Sequence, residues 1–217
     1  MRGVKYCMYS KFLNLSKEKQ NKIINAALNI FSSSIYKNAS TDEIVKSAGI
    51  SKGSLFHYFK SKEDLYLYLY DYSVGLFKKD FYSKIDLNER DIFKKFSNIT
   101  SVKLELVRKH PDIFNFVYKA MYFEDNPRLK KEINKRNDSL VIENYNKFFT
   151  DIDKSRFRND IDPNKAIELI ILTMNGYASK EALNVKPSED NEDLYNKWIR
   201  EVNEYTEIMK KIYYKGE

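Results

Sequence analysis

Residues 40–65 read STDEIVKSAGISKGSLFHYFKSKEDL. Ser40 followed by Glu43 is a capping-box pattern, in which the hydroxyl accepts a first-turn N–H and the Glu reaches back. Ile44, Val45 and Ala48 then form one apolar side, and Gly49 can take the left-handed conformation that ends a helix. Ser51 can cap a second short helix running to Phe59, and Ser61 with Asp64 a third. Helices of about eight residues are unstable alone, so packing must hold them. Ile44, Val45, Ala48, Ile50, Leu55 and Phe59 can share a small core. Lys52, Gly53, Ser54, Phe56, His57 and Tyr58 are left to divide between its edge and solvent. A basic helix-turn-helix with aromatics and hydroxyls at the start of its second helix has the composition for a DNA major groove.

Helical period continues on both sides. Ser16 is placed to cap a helix in which Ile23, Ile24, Ala27, Leu28, Ile30 and Phe31 repeat at helical intervals, ending near Ser32–Ser34. LYLYLY at 65–70 alternates like a strand. A Ser61 cap precedes it, however, and Leu65, Leu69, Tyr72 and Leu76 keep helical spacing, which predicts a helix partly buried on both faces. Asn126-Pro127 and Asp162-Pro163 each read as N-cap then first helical residue, where proline's missing N–H costs nothing. His110-Pro111 repeats the pattern with a poorer cap. These signals predict helices near 89–109, 111–123, 127–150 and 163–183, and a last one over 191–214 after a polar stretch around Pro187. The expectation is an all-α fold of about nine helices.

Composition narrows the classes. Six Gly and four Pro in 217 residues are too few for a β-sandwich or barrel. Seventeen Tyr, 14 Phe and one Trp are ample for a core. The single Cys7 excludes an internal disulfide, and Cys7, His57 and His110 are too few for a Cys/His zinc site. No cofactor is expected. The longest apolar-plus-Tyr run has six residues, against roughly 20 for a membrane span. MRGVKYCMYSKFLNL lacks the cleavage site of a secretory signal, so the expected location is cytoplasmic. No Gly-rich phosphate loop or nucleophile–base spacing suggests an enzyme.

The charge is uneven. The 38 Lys+Arg against 31 Asp+Glu give +7, of which residues 1–64 contribute 11 against 5, or +6. Such a distribution is either the footprint of a polyanion site or a solvated Lys-rich surface.

The segment from about Glu18 to Tyr70 resembles the N-terminal DNA-binding domain of the TetR (tetracycline-repressor) family of bacterial regulators. The resemblance is carried by Ile24, Ala27 and Phe31, then Ile44, Ala48-Gly49-Ile50-Ser51 and Gly53. Leu55-Phe56, Phe59 and Ser61-Lys62-Glu63-Asp64-Leu65 continue it. Three positions depart from the family: Ile35 where Gly is usual, Phe56 where Tyr is common, and His57-Tyr58 in reversed order. The resemblance implies an all-helical homodimer with a DNA-binding domain over 1–62, of which 1–15 is a tail, and a ligand-sensing and dimerisation domain over 63–217.

It also implies roles for residues. Thr41, Ser54 and Tyr58 would hydrogen-bond phosphates of a double-stranded operator, and Lys62 would add a charged phosphate contact. Ser51 opens the recognition helix. Lys52 would reach guanine, Gly53 would allow close approach, Phe56 would press on a thymine methyl and His57 would touch the backbone.

A small, largely apolar effector is expected in the larger domain. Candidate lining residues are Phe93, Phe96 and Thr100, then Phe114, Tyr118, Met121 and Tyr122, then Tyr145, Met174 and Tyr177; each is either pocket or ordinary core. Glu168 and Asn175 are pocket polar groups or exposed. A homodimer through the last two helices is expected. Ile167, Ile170, Ile171 and Met174 with Trp198, Val202, Tyr205 and Met209 either face a partner or close the monomer's own core.

Overall fold

The computed structural model describes residues 9–182 and 192–216, with side chains throughout that range except at 139–146 and 182. The helices are α1 Ser10–Leu13, α2 Lys17–Ser33, α3 Thr41–Ala48, α4 Lys52–Tyr58 and α5 Lys62–Tyr82. There follow α6 Ile92–Lys109, α7 Pro111–Tyr122, α8 Pro127–Phe148, α9 Pro163–Ala182 and α10 Glu192–Tyr213. Among the described residues there is no strand, only an isolated antiparallel bridge between Phe157 and Tyr214. The nine helices expected from the sequence are present, and the one-turn α1 is additional.

Local chemistry sets the boundaries. The hydroxyls of Ser16, Ser40, Ser51 and Ser61 accept from the N–H groups of Lys19, Glu43, Ser54 and Asp64 at 3.4, 3.4, 3.0 and 3.1 Å. Asn126 and Asp162 cap α8 and α9 ahead of their prolines, whereas His110 makes no side-chain cap. LYLYLY is helical, with Leu65, Tyr66, Leu69 and Tyr70 buried and Leu67 and Tyr68 half-buried. Buried Asp91, which the sequence pattern did not mark, caps α6 through the N–H groups of Phe93 and Lys94 at 2.9 and 3.2 Å.

The chain forms two compact units. The first is Met1–Lys78 with His110–Asn137, and the second is Lys79–Lys109 with Asp138–Glu217. A single division after residue 62 does not describe this arrangement, because α7 packs along α2 and shares its core. Phe116 lies 6.0 Å from Phe31 and 5.0 Å, edge-on, from Tyr66, ring centre to ring centre. Residues 9–15 are not a loose tail, since Tyr9 and Phe12 are buried in this core. Cys7 lies outside the described residues, as does the stretch around Pro187.

The second unit buries Ile92, Phe93 and Phe96 of α6 against Ile167, Ile170, Ile171 and Met174 of α9 and Val202 and Met209 of α10. Most of the residues expected at a dimer face therefore close the unit's own core. Trp198 is half-buried and Tyr205 exposed. The large apolar side chains left exposed on these helices are Leu169, Leu172, Tyr205, Ile208 and Ile212. No helix among the described residues is long and apolar enough to cross a membrane.

Candidate nucleic-acid interface

Gly49 joins α3 to α4 at φ 67°, the left-handed region that a Cβ disfavours. Its N–H and that of Ile50 donate to the carbonyls of Lys46 and Val45. Within α4 only Leu55 is buried, with Phe59 buried at its C-cap. Lys52, Gly53, Phe56 and His57 are therefore exposed on one short helix, with Phe56 at 37%, while Ser54 and Tyr58 are half-buried. Thr41 is half-buried at the start of α3. Together these residues supply two aromatic rings, an imidazole, a lysine and three hydroxyls, with a glycine that brings backbone within reach. Those are groups that contact base edges and phosphate oxygens.

Several of these groups already have protein partners. The Ser51 hydroxyl caps α4 and lies 2.9 Å from the Ser54 hydroxyl. The Lys52 ammonium is 2.9 Å from an Asp42 carboxylate oxygen, both side chains being more than half exposed. Asp42 was not marked by the sequence, because a pair ten residues apart across a turn has no helical register to announce it.

Lys62 is likewise engaged within the protein. Its ammonium donates to the Tyr36 carbonyl and sits 4.4 Å over the Tyr36 ring, and burial lowers its pKa. In this arrangement it ties the α2–α3 loop to the start of α5. Tyr36 meets Tyr66 edge-on at 5.2 Å. The Tyr66 phenol donates to Glu124, which is 4% exposed and also accepts from the Asn126 N–H at 3.0 Å.

The candidate effector residues are divided between the two units. Phe93, Phe96 and Met174 are buried in the core of the second, with Thr100 and Tyr177 half-buried there. In the first unit, Phe114, Tyr118 and Tyr122 form a row along α7, with ring centres 5.9 and 4.9 Å apart, and Met121 is half-buried beside it. Tyr118 is buried, which pushes its phenol up to about 12. The Tyr145 side chain lies outside the described residues. Glu168 and Asn175 are both exposed, Glu168 pairing with Lys165 at 2.9 Å.

Residues 23–69 match the family model described as bacterial regulatory proteins, tetR family. The fatty acid metabolism regulator protein of Bacillus subtilis (strain 168) is 30% identical over 94 residues, which are 43% of this chain and 44% of that protein. The chain matches only 19% to 44% of the length of its curated relatives. A TetR family transcriptional regulator from Chloroflexus aurantiacus J-10-FL superimposes with a TM-score of 0.61 at 19% identity, over 95% of this chain and 98% of that one. The transcriptional regulator FadR from Bacillus subtilis, in complex with stearoyl-CoA, gives 0.55 at 19% identity, over 87% and 96%. At such identities these likenesses speak for the fold.

Proposed function

The chain belongs to the tetR family of bacterial regulatory proteins through its helix-turn-helix domain, and on that premise we propose that it is a ligand-responsive transcriptional repressor that binds a palindromic operator. The observation that carries this is the free face of α4, where Lys52, Gly53, Phe56 and His57 are exposed together. Lys52 would exchange its carboxylate partner for guanine, and Phe56 would lie against a thymine methyl. Thr41, Ser54 and Tyr58 would fix the register on phosphates.

Two such helices must enter successive major grooves about 34–36 Å apart, which calls for a two-fold dimer. Leu169, Leu172, Tyr205, Ile208 and Ile212 would supply the interface. They lie on α9 and α10, which are brought together by a 5.2 Å contact between the Tyr177 and Tyr205 rings. Apolar side chains clustered on an exposed face usually mark an association surface.

The effector would be a small, largely apolar molecule. Fatty acid regulators recur among the relatives and one holds stearoyl-CoA, which supports a long-chain acyl group. The protein would act in the cytoplasm, without enzymatic activity.

Selection from a random duplex library tests the DNA assignment. A palindromic consensus is expected, with affinity falling steeply with salt as phosphate contacts release counterions. No consensus, or salt-independent binding, would reject it. A thermal-shift comparison of stearoyl-CoA, free fatty acid and coenzyme A tests the effector, since a ligand of the folded state raises the midpoint. No shift with any of them would favour control by a protein partner, or no effector.

A further inference from the structure

The residues ahead of α2 grip the back of the recognition helix. Phe12 of α1 is 0% exposed. Its ring centre lies 4.8 Å from Phe59, 5.2 Å from Tyr68 and 6.3 Å from Tyr58. Tyr9 adds edge-on contact with Tyr68 at 4.9 Å and a tilted contact with Phe59 at 5.8 Å. Its phenol donates to the Asp64 carbonyl at 3.4 Å. The other end of the segment is tied to α2 by Gln20, itself only 4% exposed. Its amide nitrogen donates to the carbonyls of Leu13 and Leu15 at 3.0 and 2.8 Å, while its amide oxygen accepts from Lys17 at 3.3 Å.

These contacts fall where α4 is weakest. A seven-residue helix has no stability of its own in water and keeps its direction only through what it packs on. Leu55 is its one buried residue, and the next apolar support is Phe59 at the C-cap with Tyr58 beside it. Both of those aromatics touch Phe12. The DNA-facing residues Lys52, Gly53, Phe56 and His57 are on the same two turns, so tilting the C-terminal end of α4 re-aims all four.

We infer that α1 is a strap that sets the docking angle of the recognition helix, with Phe12 as its positioning residue and Gln20 as its tether. This role depends on α4 being the DNA-reading helix proposed above. It concerns sequence discrimination more than affinity, because sequence is read through contacts to base edges, whereas phosphate contacts carry no sequence information.

The test uses Phe12→Ala, Phe12→Leu and Gln20→Ala in the full chain, with two readouts. One is amide hydrogen exchange at Leu55 and Phe59, whose N–H groups donate to Ser51 and Leu55 at 3.1 and 2.8 Å, compared with Ile44 of α3, which donates to Ser40 at 3.1 Å. The other is the ratio of operator to random-duplex affinity. For Phe12→Ala, exchange in α4 should accelerate about tenfold or more with Ile44 unchanged, and the affinity ratio should fall about tenfold, the equivalent of one misread contact. Phe12→Leu should recover most of both. Gln20→Ala leaves the ring in place and should show the same pattern more weakly, which keeps the test open if Phe12→Ala does not fold. Equal acceleration in α3 and α4, or an unchanged ratio, would overturn the strap. If the wild-type protein prefers no operator, the DNA assignment fails, while the exchange comparison still decides whether α1 holds α4.

Discussion

The phenol of Tyr66 donates a 3.1 Å hydrogen bond to a carboxylate oxygen of Glu124, 58 residues further along the chain. Both side chains are buried, and the second oxygen of Glu124 is taken by the Asn126 N–H at 3.0 Å. The start of α5 is thereby bonded to the turn between α7 and α8. Removing the donor leaves a buried carboxylate short of a partner, which costs more than the net worth of an ordinary hydrogen bond. Tyr66→Phe should lower stability by ~1–3 kcal/mol. Urea denaturation followed by tyrosine fluorescence measures this, and Tyr66→Phe with Glu124→Gln should cost less than the two changes added separately.

Alkaline pH should loosen the same unit. Burial lifts the phenols of Tyr9 and Tyr68 from 10.0 to about 12 and raises those of Tyr66 and Tyr70 further. The unfolded chain gives up these protons first, so their stabilising contribution is intact below pH 10 and is lost as pH rises toward 12. Thermal midpoints should fall over that window. Tyr68→Phe, which has no proton to lose there, should make the decline shallower.

Asp42 holds Lys52 at 2.9 Å on an exposed surface, where such pairs are worth about 0.2–1 kcal/mol. Asp42→Asn frees Lys52 and should strengthen operator binding by about two- to fivefold, an energy within that range, and random-duplex binding less. Lys52→Ala should weaken operator binding more than random-duplex binding. Fluorescence anisotropy on both duplexes separates the two outcomes, and equal losses from Lys52→Ala would remove its base-reading role.

Gly49 and Gly53 should respond in opposite senses. At Gly49 an added Cβ meets nothing within 4 Å, so the whole cost of Gly49→Ala is its left-handed backbone, about 1–2 kcal/mol. At Gly53 the nearest atom to an added Cβ is the Ser51 hydroxyl at 3.8 Å, and the residue is helical. Gly53→Ala should raise the thermal midpoint, because alanine is the better helix former by about 0.8–1 kcal/mol. If the backbone at Gly53 approaches DNA, the same change should weaken operator binding.

Leu172 and Ile208 are 61% and 54% exposed on α9 and α10. A carboxylate desolvated at a two-fold interface without a partner costs several kcal/mol, on the order of a hundredfold or more in dissociation constant. Leu172→Glu and Ile208→Glu should yield monomers in sedimentation velocity with unchanged helical content, and operator binding should fall with them. Persistence of the wild-type sedimentation coefficient would place the interface elsewhere.

The starts of α2, α3, α4 and α5 were readable in the sequence because capping is local: Ser16, Ser40, Ser51 and Ser61 each act within three residues of themselves. The exposed face of α4 was readable for a related reason, since a two-turn helix can bury only one side. The four-residue α1 escaped notice because no helical period exists over so short a span. What orders it is aromatic contact with residues more than 40 positions away. The direction in which α9 turns its apolar residues was also hidden. Leu169 and Leu172 alternate with Ile167, Ile170 and Ile171, so the helix is apolar almost all round, and only its neighbours decide which side stays open. Lys62 reads as a cation beside a helix start, and its engagement with Tyr36 depends on a loop 26 residues earlier.

Phe116 of α7 is fully buried against Phe31 and Tyr66. The helix-turn-helix cannot therefore be lifted out of this chain as a cassette. A fragment cut after residue 62 would forfeit Tyr66 and Phe116 together and leave Phe31 facing water. Such a fragment should precipitate or stay molten, and grafting this reader onto another scaffold would have to carry α7 with it.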